Sequence, residues 1–129
     1  MSRWPDIEKA LVAHIRDSTN GTRTGTLVPS NVEELPAFIR VVRGPGTDDF
    51  ITDAPSVDVE TFAPAYGDAA DLAEDVRQVF HALAGRRIGA VLVDRVRTNL
   101  SPSWVDYRNP ATNRFVASYR IEFRKEPIT

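Results

Sequence analysis

Apolar residues recur every three to four positions in two stretches of this chain and every second position in several others. Leu72, Val76, Val79, Phe80 and Leu83 fall at i, i+4, i+7, i+8 and i+11, so they share one face of a helix of 3.6 period. The spacing predicts a helix over residues 68–85. Asp68, Asp71, Glu74 and Asp75 crowd its positive end, Arg77 and His81 follow, and Gly85 is placed to supply the left-handed residue that closes it. Ile7, Leu11 and Ile15, with Val12 beside them, repeat the pattern behind Trp4-Pro5-Asp6. Proline suits the first helical position, and this helix is expected to end near Asp17. In the last stretch Phe115, Ala117, Tyr119, Ile121 and Phe123 alternate with Val116, Ser118, Arg120, Glu122 and Arg124, which is the pattern of a strand with one face in the core.

Weaker signals fill the gaps. Residues 18–31 read as a long loop with a short strand at 26–28. AFIRVVR (37–43) reads as a strand stopped by a Gly44-Pro45-Gly46 turn, and VDVETFA (57–63) as its neighbour beyond an acidic connection. AVLVDRVRT (90–98) reads as a strand broken by Ser101-Pro102-Ser103. Residues 104–108 and 114–124 then flank Asn109-Pro110-Ala111-Thr112-Asn113, which makes a hairpin. The order is α-β-β-α-β-β-β, an α+β fold with a mostly antiparallel sheet covered by two helices, and not the βαβ alternation of a nucleotide-binding sheet.

Composition narrows the classes. A chain of 129 residues is expected to form one domain, residues 1–129, with enough core to fold unaided. It has no cysteine, which excludes disulfides, thiolate metal sites and cysteine nucleophiles together. No apolar run approaches the roughly 20 residues of a membrane span, and residues 1–10 lack a signal core, so the expected chain is soluble and without a membrane partner. The net charge of −2 hides a segregation: residues 44–76 hold nine acids and no Lys or Arg, and residues 77–125 hold ten bases and three acids. Such blocks either neutralise each other within one subunit or meet across a boundary between copies, where complementary fields fix register. On the second alternative the interface residues are Asp48, Asp49, Asp53, Asp58 and Glu60 on one side, and Arg86, Arg87, Arg95, Arg97, Arg108 and Arg114 on the other.

No catalytic constellation emerges. His14 and His81 sit within helical patterns, without a serine or an orienting carboxylate at the needed spacing. Gly21-Thr22-Arg23-Thr24-Gly25 lacks the Lys-Ser/Thr of a phosphate loop. Asp48, Asp49 and Asp53 lack the glycine and closing glutamate of a calcium loop, so they read as a solvated or partner-facing tip. Arg95, Arg97, Arg108, Arg114, Arg120 and Arg124 recur beside Trp104, Tyr107, Phe115 and Tyr119, which raises a basic-sheet nucleic-acid module as an alternative. A pI near 5.7 and rings committed to the core weigh against it.

A capped first helix beginning WPDIEKALVAHIRD, a central helix closing as FHALAGRR, and a finish reading VRTNLSPSWVDYRNPATNRFVASYRIEFR carry a resemblance. With Pro102, Asp106, Asn109-Pro110 and Arg114 in that finish, nearly the whole chain resembles the tail terminator family of long-tailed bacteriophages, also called tail completion or minor tail proteins. The resemblance implies a subunit without catalysis, cofactor or metal. Such a subunit assembles with its own copies into a hexameric ring on the tail tube, ends polymerisation of the major tail tube protein and offers the surface that joins the head-to-tail connector or neck protein. It also implies a place at the virion neck after assembly in the host cytoplasm, with genomic DNA passing the lumen. A head-to-tail connector subunit is the related alternative.

Overall fold

The computed structural model describes residues 3–125 and places two helices on one face of a six-stranded sheet. The helices are α1 (Ile7–Ser18) and α2 (Tyr66–His81). The strands are β1 (Thr24–Gly25), β2 (Phe38–Asp48), β3 (Thr52–Ala63), β4 (Arg87–Ile88), β5 (Val91–Trp104) and β6 (Asn113–Arg124), in the spatial order β1-β2-β3-β6-β5-β4. Among the described residues only β1 is parallel to its neighbour, and every other pairing is antiparallel. The expected α+β architecture is therefore observed.

The periodic stripes become the core. Ile7, Leu11 and Ile15 from α1 and Val76 and Phe80 from α2, with Leu83 beyond its end, pack on Ile39, Val41, Val57, Val59 and the odd-numbered side chains of β6 from Ala117 to Phe123. At the centre the Phe80 ring stacks on Tyr119 with centroids 4.2 Å apart. Burial raises the pKa of the Tyr119 phenol, against the pull of the nearby Arg77 guanidinium. A smaller cluster closes one end of the other sheet face, where Phe38 lies against Phe62 and Phe62 meets Tyr107 edge-on at 5.2 Å.

Five boundaries differ from the sequence reading, the first four for a local reason. Asp6, not a residue before Pro5, caps α1: its carboxylate accepts the Lys9 N–H at 3.1 Å. The central helix ends at His81, four residues before Gly85. Gly85 does take a left-handed φ of +79°, but its N–H donates to the Val93 carbonyl at 2.8 Å, so it turns the chain into the sheet instead of capping the helix. The Gly44-Pro45-Gly46 segment does not stop β2. The register with β3 shifts between Arg43 and Gly46, and a Cβ at Gly46 would overlap the Ala54 carbonyl and the Pro55 backbone, so these residues form a bulge within a longer hairpin. Likewise Ser101-Pro102-Ser103 does not break β5. Three register shifts, after Val93, Thr98 and Leu100, absorb the irregularity, and Pro102 is tolerated because β4 pairs only with Val91 and Leu92, leaving the rest of β5 at the sheet edge. The short strand of the long loop lies at Thr24–Gly25 instead of 26–28.

Candidate functional site

The helices cover one side of the sheet, so the chemistry left to the surface lies on the opposite, open face and at the two ends of the strands. Alternation puts Arg40, Asp58, Glu60, Arg114, Ser118, Arg120 and Glu122 on the open face, and the shift after Val93 turns Arg95 and Arg97 onto it as well, opposite Glu122 and Arg120.

Register then decides which of the predicted interface charges remain available. Glu60 sits between two guanidiniums, accepting from Arg40 at 2.7 Å and from Arg114 at 3.0 Å. Arg114 also donates to the Asp106 carbonyl at 2.8 Å, so it ties the β5–β6 connection to the sheet. Asp53 is buried and pairs with Arg43. Arg95 makes a looser contact with Glu122 at 3.5 Å, and Arg124 forks onto Asp94 at 2.9 and 3.1 Å. The two sequence blocks thus meet inside the subunit at Glu60 and Arg114, and Asp53 and Glu60 are structural ions.

The others stay on the surface. Asp58 is exposed beside Gly44. Arg97 is exposed directly across from Arg120, a like-charged cross-strand pair that destabilises the free sheet. Arg108 stands on the β5–β6 connection with its guanidinium 5.9 Å from the Tyr107 ring centroid. Arg86 and Arg87 lie at the opposite edge, Arg87 opening β4 and Arg86 lining an open cleft with His14, Asp75 and Gln78. Burial, and then Arg86, hold His14 below the usual imidazole pKa. His81 contacts the Thr98 hydroxyl at 3.1 Å. Neither histidine meets a nucleophile and an orienting acid together, and among the described residues no group of three His, Asp or Glu is placed to hold a metal ion.

Asp48 and Asp49 build the β2–β3 turn. Asp48 accepts the Phe50 N–H at 3.0 Å, and Asp49 accepts those of Ile51 and Thr52 at 3.0 and 2.6 Å. These bonds, Thr52 first, hold the Asp49 carboxyl below its ordinary pKa. Between them the turn presents Phe50 and Ile51 to solvent, which charge reasoning missed. The available signal was an apolar pair inside the run Asp48-Asp49-Phe50-Ile51-Thr52-Asp53. The rings of Tyr66 and Trp104 are exposed at the other end of the sheet; Trp104 is one of the rings that the sequence places beside the strand arginines, whereas Tyr66, which opens α2, carried no signal of its own. No helix among the described residues is long and apolar enough to cross a membrane.

No protein-family model and no curated protein matches the chain. A chain in a solved structure described as the virion of native gene transfer agent (GTA) particle shares its fold. The two superpose with a TM-score of 0.63 at 13% identity, over 92% of this chain and 94% of that one. At that identity the likeness is one of fold.

Proposed function

We propose that this chain is a structural protein of a phage-like virion, without catalytic activity, that closes the tail tube as a ring of its own copies and provides the surface joining tail to head. The observation that carries this reading is the fold shared, nearly end to end in both chains, with a component of a virion particle. The layout that resembles tail terminators refines it from virion component to ring at the tube end, with the major tail tube protein and a neck protein as partners and a hexamer as the expected stoichiometry. The surface charges suited to such contacts are Asp48, Asp49 and Asp58 on the acidic side and Arg86, Arg97 and Arg108 on the basic side, with Arg95 only loosely held. Asp53, Glu60 and Arg114 shape the subunit instead. A nucleic-acid-binding sheet is disfavoured because Phe115, Tyr119 and Phe123 are buried and cannot stack on bases.

The test is tube growth in vitro. The purified chain, added to polymerising tail tube protein from the same genome, should arrest elongation and appear as a six-fold ring at tube ends by electron microscopy. Tubes of unchanged length with bare ends would contradict the reading.

A further inference from the structure

Two guanidiniums on the open face are left without a counter-charge. Arg97 and Arg120 stand directly across from each other on β5 and β6, and beyond Arg120 the row continues to the uncharged Ser56 of β3. Among the described residues neither arginine forms an ion pair. In the adjoining row Arg95 faces Glu122, whose carboxylate reaches Arg95 alone, at 3.5 Å. Asp58, in the row on the other side, has an oxygen 3.4 Å from the point where a Gly44 Cβ would stand, so it leans toward β2 and away from Arg120. Cross-strand neighbours sit about 5 Å apart, and residues two apart on one strand about 7 Å. Arg95, Arg97 and Arg120 therefore share one small area of a rigid sheet. Three guanidiniums against one carboxylate leave a surplus of two positive charges.

The same four side chains, Arg95, Arg97, Arg120 and Glu122, line a recess of about 10 Å³, room for a single water-sized group. An occupant can place one oxygen there and must keep its other atoms outside. Glu122 shows what a planar carboxylate achieves at this place: it engages Arg95 and leaves the Arg97–Arg120 pair unrelieved. A tetrahedral oxyanion with one oxygen in the recess still turns others toward guanidiniums on both strands, and a dianion matches the surplus charge.

We infer that Arg95, Arg97 and Arg120 form a phosphate site on the open face of the sheet, taking either free phosphate or a phosphodiester of a nucleic-acid backbone. No base stacking is required, so the burial of Phe115, Tyr119 and Phe123 does not stand against it. The site goes beyond the assembly reading and does not depend on it.

Thermal melts of the whole chain in millimolar inorganic phosphate, against sodium chloride of the same ionic strength, test the site, because an anion that binds only the folded chain raises its melting temperature. A saturable rise is expected. Arg97→Gln removes one member of the like-charged pair, so it should raise the melting temperature without phosphate while weakening phosphate binding at least about tenfold. These opposite signs separate binding from folding. Glu122→Gln should tighten binding, and Arg108→Gln, on the β5–β6 connection, should leave it unchanged. A short DNA duplex followed by fluorescence anisotropy separates the sources. Binding that falls with salt, with a salt slope smaller by about one in Arg97→Gln, identifies the backbone; phosphate binding without duplex binding identifies the free anion. No response to either phosphate or duplex, or a response equal in the native chain and Arg97→Gln, would overturn the site. A response to a glutamate-rich peptide alone would assign these arginines to a partner's carboxylates and overturn the phosphate assignment.

Discussion

The two faces of the sheet solve opposite problems. The helix-covered face is apolar and closed: Phe80 and Tyr119 stack at its centre, and Leu11, Ile15, Ile39, Ile121 and Phe123 are fully buried around them. The open face is charged, and its order comes from cross-strand register, which places Glu60 between Arg40 and Arg114, Arg95 beside Glu122, and Arg97 against Arg120. The difference teaches that charge segregated along a chain need not be segregated in space. The acidic and basic blocks interleave when β3 pairs with β6, and what stays uncompensated is a basic pair on the face and an acidic turn at one end.

The largest effect should come from the closed face. Phe80→Ala removes the ring stacked on Tyr119 and leaves a cavity under α2, so denaturant unfolding should report a loss of about 3–5 kcal/mol. A loss below about 1 kcal/mol would mean that α2 is not the cover of this core.

The second effect separates two acids of the open face that look alike in sequence. Glu60→Gln removes the charge shared by two partly buried guanidiniums and should cost about 1–3 kcal/mol. Asp58→Asn, two residues away on the same face, should stay within about 0.5 kcal/mol. Equal effects would dissolve the distinction between structural and available charge.

Much of this contrast was legible beforehand, and what was not has physical causes. The stripe from Leu72 to Leu83 and the alternation from Phe115 to Phe123 are local patterns, and both fell on the face they predicted. The bulges at Gly44-Pro45-Gly46 and Ser101-Pro102-Ser103 were read as breaks because turn residues carry the same signature whether a neighbouring strand absorbs them or not. The roles of Asp53 and Glu60 were hidden because their partners are remote in sequence: Arg43, Arg40 and Arg114 reach them only through strand register. Arg40 and Glu60 are direct cross-strand partners, so pairing the two predicted strands residue by residue would have found that bridge. The exposed Phe50 and Ile51 were not legible as surface, because hydrophobicity on its own predicts burial.

A smaller effect should have opposite signs in the free and assembled chain. Arg97→Glu replaces a like-charged pair with an opposite-charged one, so it should stabilise the monomer by up to about 1 kcal/mol while weakening docking to tube or neighbour. Loss of monomer stability would show that Arg97 holds a partner within its own subunit.

The smallest effect is a pH dependence at the hairpin tip. Because the Asp49 carboxyl is held below its ordinary pKa by the backbone N–H groups of Thr52 and Ile51, its contribution is complete above the ordinary carboxylate range. It is lost as pH falls through the lowered folded value. The difference in melting temperature between the native chain and Asp49→Ala should therefore be present at pH 7 and vanish in strong acid. A difference independent of pH would show that the ionised carboxylate does not stabilise the turn.

The central claim is that the helix side is finished within one subunit while the open face and strand ends are finished only on assembly. Hydrogen–deuterium exchange of the free chain against the chain assembled on tail tubes tests it directly. The account predicts new protection at residues 48–52 and along 94–108, with α1 and α2 unchanged. Protection gained on the outer surfaces of α1 and α2, with the hairpin tip and the β5 edge exchanging as before, would contradict it.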